Sequence, residues 1–199
     1  FANTNKVKKF IDEIAKLGVE SLELSGGGEP TLHPDCYEII EYAHKKGLKG
    51  GLLTNGFKFD YNKINYLSYI RIGLDAHNSF LYNKIKKGSD ARFNETINNV
   101  KTLITQRKNL KPRIGIKFML NSMNYLYAKE MAEFSKNLGV DYCHFKGTHT
   151  DIDQLSGIQI EYCNIDIIKL KDKFSNFVYG SVIKNEAKVK CFMSPIHTV

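Results

Sequence analysis

The sequence predicts an α/β fold whose parallel sheet is built from successive βαβ units. Short apolar runs of strand type alternate along the chain with segments in which apolar residues recur every three or four positions, the spacing of an amphipathic helix. The links between these segments are short, and glycine follows several of the helical ones, as it often does at a helix end. This alternation, with no low-complexity linker, is typical of a parallel sheet covered by helices.

In the first half of the chain, helices and strands are predicted with clear end signals. Apolar residues from Val7 to Leu17 form the first helical stripe, which Gly18 ends. The second stripe runs from Cys36 to Ala43 and is closed by Gly47. A further short helix is predicted in YNKINYL, residues 61–67. The strands predicted between these helices are VESLEL (19–24), LKGGLL (48–53), which its glycines weaken, and YIRIGL (69–74).

The second half of the chain repeats the same unit. A helical stripe from Phe93 to Ile104 precedes the strand RIGIKFML, residues 113–120. A stripe from Tyr127 to Leu138, closed by Gly139, precedes the strand VDYCHF, residues 140–145. Cys143 lies in this last strand and is expected to face either the core or the opposite side, whereas Cys36 is predicted to lie in the core.

Length, charge and cysteine content exclude several classes of protein. The 199 residues correspond to one domain, or to one domain and a small annex. The net charge of +8 comes from lysines spread along the chain, so nucleic-acid binding is not expected. No run approaches the ~20 apolar residues of a membrane span, and no signal peptide is visible. The four cysteines are scattered without metal-type spacing, and the cytoplasm is the expected location.

Polar residues follow the C-terminal end of every predicted strand. In a (β/α) barrel these ends converge on one mouth, where active sites are built. The alternative explanation is that any strand becomes polar where it leaves the core. That explanation accounts for one or two polar ends, and a functional mouth accounts better for five. The five segments are Ser25 to Pro30, Thr54 to Gly56, Asp75 to Asn78, Asn121 to Ser122 and Lys146 to His149. Of the histidines nearby, His144 and His149 are candidate substrate contacts, although a single histidine is more often structural.

The segment SGGGEP, residues 25–30, has the composition of a site for a cation. Its glycines let backbone groups approach a ligand without a Cβ in the way, and Glu29 adds a negative charge. Pro30 prevents the strand from continuing. A phosphate-binding loop would lead directly into a helix and would avoid an acid, and the Walker lysine is absent. A ligand ammonium is therefore expected here rather than a phosphate.

Three motifs in order, LSGGGEPTLHPD, LLTNG and IRIGLDAHN, resemble those of the radical S-adenosylmethionine superfamily. The resemblance covers roughly residues 7–150. It implies a partial (β/α)6 TIM-like barrel, incomplete at the N-terminus of this sequence. It also implies an enzyme that uses S-adenosylmethionine and a [4Fe–4S] cluster to form a 5′-deoxyadenosyl radical, which abstracts hydrogen from a peptide or small-molecule substrate. A reductant such as flavodoxin or ferredoxin is implied as a partner.

The resemblance also assigns cofactor-binding residues. Gly27, Gly28 and Glu29 match the Gly-Gly-Glu motif that holds the methionyl ammonium. The other residues it implies are Thr54, Asn55, Gly73, Asp75, Lys86 and Asn121. Gly73 stands where relatives often have serine, so one hydroxyl group is absent. Lys86 stands where they often have an arginine that pairs with the methionyl carboxylate; lysine supplies the charge without the bidentate geometry, and a solvated surface lysine is an equal alternative.

The largest departure from the family concerns cysteine. The family's cluster is bound by a C-x3-C-x2-C loop after the first strand, and this sequence contains no such loop. We therefore expect it to be part of a longer enzyme, with residues 1–150 forming strands 2 to 6 of the barrel core. Residues 151–199 are expected to form a helical segment and the start of a SPASM or twitch extension. Cys191 would then be a ligand of an auxiliary cluster, or alternatively a buried free thiol.

Two other functions remain open from the sequence. One is a non-catalytic module that binds S-adenosylmethionine without a cluster. The other is a phosphate-binding barrel enzyme of aldolase type, which would need a Schiff-base lysine at a strand end. Lys117 is in the middle of a strand, and Lys146 is the better placed of the two.

Overall fold

The structure, a computed structural model, describes residues 2–147 and 155–181. In this part of the chain, helices alternate with parallel strands, which confirms the predicted α/β fold. The helices are α1 (Thr4–Lys16), α2 (Cys36–Lys45), α3 (Ser79–Lys86), α4 (Asp90–Gln106), α5 (Ala128–Leu138) and α6 (Gly157–Lys173). The strands are β1 (Ser21–Leu24), β2 (Lys49–Thr54), β3 (Leu67–Gly73), β4 (Arg113–Leu120), β5 (Tyr142–Gly147) and β6 (Val178–Ser181).

The sheet has the order β1-β2-β3-β4-β5-β6, and every neighbouring pair is parallel. Strand order therefore follows chain order, as successive right-handed βαβ crossovers produce. Within the described residues β1 and β6 are the two edges, so the sheet is open, as in a partial barrel. All the carboxyl ends of the strands lie along one margin of this sheet.

Three elements differ from the sequence-based expectation. The short helix predicted at residues 61–67 is only a 3-10 turn, Ile64–Tyr66. Helix α3 was not predicted, because its eight residues bury only Leu81 and Tyr82. The segment after residue 150 contains not only a helix, α6, but also β6, which pairs with β5. The division into two domains at residue 150 remains a prediction.

Short polar side chains begin several of the helices. The Asn78 side-chain oxygen accepts a hydrogen bond from the backbone of Leu81 at 2.8 Å and so caps α3. The Ser89 hydroxyl accepts one from Arg92 N at 3.2 Å at the start of α4. Each cap satisfies an N–H group that has no partner inside its helix. These caps fix where the chain leaves the strand ends and enters the helices. No helix among the described residues is long and apolar enough to cross a membrane.

The two faces of the sheet have different compositions. One face packs against the helices, and its central side chains are fully buried; they are Ile70, Ile72, Ile114, Ile116, Phe118, Cys143 and Phe145. The opposite face, here called the inner face, carries the alternate side chains; they are Glu23, Leu53, Tyr69, Arg71, Arg113, Lys117, Met119, Tyr142, His144, Lys146 and Tyr179. Burial of the first set supplies much of the folding free energy, at about 1.5–3 kcal/mol for each large side chain. Most side chains of the inner face are only partly buried or exposed among the described residues.

Two glycines of the inner face accommodate tyrosine rings from neighbouring strands. A Cβ built on Gly115 would lie 2.2 Å from the Cζ atom of Tyr142, and one built on Gly51 would lie 2.2 Å from Cζ of Tyr69. The glycines that weaken these strands by propensity are therefore needed for ring packing. The Tyr142 hydroxyl in turn accepts a hydrogen bond from Arg71 Nε at 3.4 Å.

Candidate functional site

The carboxylate of Glu29 joins the ends of β1 and β2. Its Oε1 atom accepts hydrogen bonds from the Thr31 hydroxyl at 2.7 Å, the Thr31 N–H at 3.1 Å and the Thr54 hydroxyl at 2.6 Å. Its Oε2 atom accepts one bond, from Asn55 N at 2.6 Å. A carboxylate has about four acceptor positions, two on each oxygen. Oε1 is therefore saturated, and Oε2 retains a position for a further donor.

The glycines that precede Glu29 are not required by the packing of the chain itself. A Cβ built on Gly27 or Gly28 would meet no atom within 4 Å, and neither residue has a positive φ. Glycine loses more conformational entropy on folding than other residues do. No tight packing or positive φ at Gly27 or Gly28 compensates for this cost. Open space beside a fixed carboxylate is the arrangement that a ligand ammonium requires.

The turn after β2 is held by its own polar groups. Thr54 Oγ1 accepts a hydrogen bond from Gly56 N at 3.1 Å, and the Asn55 side-chain oxygen accepts one from Phe57 N at 2.9 Å. Gly56 has φ +80°, and a Cβ there would lie 2.8 Å from the Ile72 side chain. Glycine is therefore needed at this position for both reasons. Thr54, only 4% exposed, is fixed between Glu29 and this turn.

The end of β3 presents Asp75 with a left-handed backbone, φ 59°. One carboxylate oxygen of Asp75 accepts from Met119 N at 2.7 Å, and the other forms an ion pair with Lys86 from α3. Sequence reasoning did not find the residue that holds this arrangement, Asn124. Its amide nitrogen donates to the carbonyl oxygens of Asp75 and Met119, and its oxygen accepts from Asn121 N at 2.8 Å. Asn124 is fully buried, and its only sequence signal is its place three residues after Asn121.

These strand ends surround a cavity of about 240 Å³. It brings together seven of the predicted residues, Gly28, Glu29, Thr54, Asn55, Gly73, Asp75 and Lys86. Gly26, Pro30, Leu53, Lys117 and Met119 complete the lining. Gly27 lies instead in a larger cavity of about 570 Å³ on the other side of the β1 end, which shares Gly26, Gly28, Glu29 and Pro30 with the first. The two cavities therefore adjoin at the segment that carries Glu29.

Two of the predicted contacts have partners within the protein. Lys86 is neutralised by Asp75, so a ligand carboxylate would share this ammonium with an acid. The Asn121 side-chain oxygen accepts a hydrogen bond from Met123 N at 2.9 Å within its own turn, and Asn121 is not among the residues that line the smaller cavity. Its assignment as a cofactor-binding residue remains a prediction.

The cysteines of the described residues do not fit an iron–sulfur cluster. Cys36, Cys143 and Cys163 are buried in the core, and burial raises the pKa of each thiol, to about 11, 12 and 11 respectively. Cluster binding requires thiolates that lie together. In residues 2–147 and 155–181, no group of three or more potential metal ligands is present. Cys191 and His149 lie outside the described residues, and the assignment of Cys191 to an auxiliary cluster remains a prediction.

Comparison with known proteins identifies the family. The model of the radical SAM superfamily matches residues 2–111. A probable GTP 3′,8-cyclase of Methanocaldococcus jannaschii is 30% identical over 181 residues, which cover 88% of this chain and 52% of that protein. A tungsten-containing aldehyde ferredoxin oxidoreductase cofactor-modifying protein of Pyrococcus furiosus is 27% identical over 146 residues, or 67% of this chain and 39% of that protein. The chain therefore spans about half of these relatives or less.

The fold is also similar to that of a solved structure, Streptococcus suis SuiB bound to S-adenosylmethionine. The TM-score is 0.74 at 14% sequence identity, and the match covers 92% of this chain and 42% of SuiB. At this identity the likeness shows the fold alone. It agrees with the open parallel sheet and alternating helices described above.

Proposed function

Because the chain belongs to the radical SAM superfamily, we propose that the cavity at the strand ends binds S-adenosylmethionine. The superfamily uses this cofactor together with a [4Fe–4S] cluster. The single observation that carries the proposal is the fixed Glu29 carboxylate, whose Oε2 atom has a position left for a donor beside two glycines that leave open space. In this proposal the methionyl ammonium donates to Oε2 and to backbone carbonyl groups of Gly27 and Gly28.

The remaining groups of the cavity suit the other parts of the cofactor. Lys86 provides a positive charge for the methionyl carboxylate, which it would share with Asp75. Gly73 leaves room beside the end of β3, since a Cβ there would meet only the Thr54 carbonyl oxygen at 3.8 Å. Thr54 and Asn55 are fixed through Glu29 and thereby shape the wall of the cavity. The residues of this chain therefore bind and orient the cofactor.

We further propose that the whole protein is a radical SAM enzyme. When bound and reduced through a cluster, S-adenosylmethionine supplies the 5′-deoxyadenosyl radical that abstracts hydrogen from a substrate. No step through the cluster is assigned to this chain, because its described residues contain no ligand set for one. A reductant such as flavodoxin or ferredoxin belongs to the same proposal. The family assignment leaves the aldolase alternative without support.

Calorimetric titration of the chain with S-adenosylmethionine tests the binding proposal. Glu29→Gln should weaken binding about ten- to a hundredfold, since one charge-assisted partner contributes about 1.5–3 kcal/mol. The matched control is Glu38→Gln, an acid on α2 that pairs with Lys8 away from the cavity. This substitution should leave the affinity unchanged.

A second variant separates binding from folding, because Glu29 also joins two strand ends. Gly28→Val adds a side chain in open space, so the free energy of unfolding should change by no more than about 0.5 kcal/mol, which is the range of surface substitutions. The same side chain would occupy the space proposed for the ligand and should abolish detectable binding. Normal affinity in Gly28→Val would overturn the proposed position of the cofactor.

A further inference from the structure

The inner face of the sheet carries a cluster of basic side chains next to the proposed cofactor cavity. Lys117 on β4 is in register with Gly73 on β3 and with His144 on β5. Lys146 follows His144 on the same face, two residues closer to the strand end, and Arg71 precedes Gly73 by two residues. We call these four side chains, Arg71, Lys117, His144 and Lys146, the basic cluster.

The basic cluster is not neutralised by the acids around it. Arg71 lies 3.9 Å from Glu23, whose carboxylate also accepts a hydrogen bond from the Tyr69 hydroxyl. Asp75 is already paired with Lys86. Within the described residues, Lys117 and Lys146 form no ion pair within 4.0 Å. Three cations and one histidine therefore face only two acids, Glu23 and Asp75, and Asp75 is already paired with Lys86.

The surroundings make this excess of charge costly to the empty protein. The side chain of Arg71 is only 25% exposed. The Nδ1 atom of His144 is buried and has no hydrogen-bond partner among the described residues. Burial together with the neighbouring Lys146 lowers the pKa of Lys117. Partial burial of the Arg71 and Lys117 charges and of the unpaired His144 nitrogen raises the free energy of the empty protein, whereas Lys146 is exposed. An anion bound to these groups would offset part of this cost.

Space for such an anion is present on the same face. A cavity of about 460 Å³ is lined by Ser68, Tyr69, Arg71, Arg113, Tyr142, His144 and Tyr179. Lys117, the register neighbour of His144, lines the smaller cavity at the strand ends instead. Arg71 and His144 therefore line one cavity and Lys117 the other, while Lys146 lines neither. A molecule whose anionic group reached this cluster would be adjacent to the cofactor proposed above.

We propose that the basic cluster binds an anionic group of the substrate, a phosphate or a carboxylate. Arg71 and the lysines provide the charge, and His144 provides a ring N–H that can donate a hydrogen bond even when the imidazole is neutral. The inference rests on the proposed function, because it assigns the substrate class of the same site. An uncharged or cationic group of a substrate is therefore not expected to bind at the basic cluster.

The test uses two polyanions that represent the two sources of charge, tripolyphosphate and citrate. Each is titrated into the chain by calorimetry at 0.15 M salt, where long-range surface attraction is largely screened. At least one of them should bind, and the stronger of the two identifies phosphate or carboxylate as the preferred group. If neither anion binds while S-adenosylmethionine does, the inference is overturned and the proposed function stands.

Two substitutions locate the site. Lys146→Met should weaken anion binding about tenfold or more, because a charged hydrogen-bond partner is lost. His144→Phe should weaken it about two- to tenfold, because a neutral ring N–H is lost. Both should leave the affinity for S-adenosylmethionine unchanged, since neither residue lines the smaller cavity. Lys101→Met, at an exposed position of α4, is the matched control and should bind the anion normally. Equal losses in Lys101→Met and Lys146→Met would indicate general attraction to a basic surface and would also overturn the inference.

The outcome for the cofactor is read separately. If the anion binds as expected but S-adenosylmethionine does not bind to any variant or to the wild type, the basic cluster is retained as a site and the proposed function fails. The two proposals are therefore distinguished by one set of titrations on the same samples.

Discussion

Asn124 donates a hydrogen bond from its side-chain amide to the backbone carbonyl of Asp75 over 3.1 Å. The same amide donates to Met119 at 2.9 Å, so one buried side chain fixes the end of β3 to the end of β4. Asp75 is thereby held in its left-handed conformation, with its carboxylate towards Lys86. The charged wall of the cavity depends on a residue that has no charge and does not line it.

Replacing Asn124 by alanine should therefore destabilise the protein by about 3 kcal/mol, because each buried group left without a partner costs about 1–3 kcal/mol. Urea denaturation measures this change. Asn94→Ala, at an exposed position of α4, is the control and should have little effect. A loss of less than about 1 kcal/mol in Asn124→Ala would contradict a structural role for this amide.

Gly115→Ala should destabilise the protein by about 1–3 kcal/mol, the usual cost of overpacking. The new Cβ would lie 2.2 Å from Cζ of Tyr142, so the ring must move and its contact with Arg71 is lost. Denaturation in urea and near-ultraviolet circular dichroism report the two effects. Gly73→Ala, where the nearest atom is 3.8 Å from the new Cβ, should be nearly neutral.

A double-mutant cycle checks that the Tyr142 ring is the cause. In a Tyr142→Ala background the added methyl group of Gly115→Ala has space, so its cost should fall below about 0.5 kcal/mol, the limit within which independent substitutions add. An unchanged cost in that background would mean that the strand itself, rather than the ring, rejects the methyl group.

His144 should make folding stability depend on pH. Burial and the nearby cations hold the pKa of His144 below its usual value of 6.5. The groups that face it are Glu23, Arg71, Lys117, Lys146 and Tyr179. Below pH 6.5 the unfolded chain binds a proton that the folded chain does not, so stability falls as pH falls from about 7 to 5. His144→Phe should reduce this slope in denaturation curves, and equal slopes for the two proteins would refute the assignment.

The thiols of Cys36, Cys143 and Cys163 should resist modification in the folded protein. Their pKa values of about 11 to 12 leave little thiolate at pH 8, and all three side chains are buried. A disulfide reagent at pH 8 should label them only after denaturant is added, as read by mass spectrometry of the peptides. Ala91→Cys, at an exposed position of α4, provides a thiol that should react at once.

The sequence predicted the repeating units well because burial imposes a period on each of them. RIGIKFML was assigned with the same bounds as β4, since its alternate residues Ile114 and Ile116 are fully buried. Helix α3 and β6 could not be predicted in this way. The first is short and leaves Phe80 78% exposed, and the second has four residues, one of them glycine.

For the site, the sequence predicted the residue types but not their connections. The strand ends brought Glu29, Thr54 and Asp75 into one cavity, because parallel strands end along one margin. Glu29 joins two strand ends through a hydrogen bond to Thr54, which lies 25 residues further along the chain. The sequence does not give the distance between these two residues. The basic cluster was missed for a related reason. Lys117 and His144 are separated in the chain and become neighbours only through the register of β4 and β5.

Strand order that follows chain order has a consequence for how such a protein can diversify. The groups proposed for the cofactor lie at the ends of β1, β2 and β3 and in the segments that follow them. Three members of the basic cluster lie within β4 and β5; they are Lys117, which also lines the cofactor cavity, His144 and Lys146. Substitutions in the later repeats can therefore change the recognised molecule while the earlier repeats keep the shared chemistry. The early and late parts of the gene can therefore evolve separately, one for the cofactor and the other for the substrate.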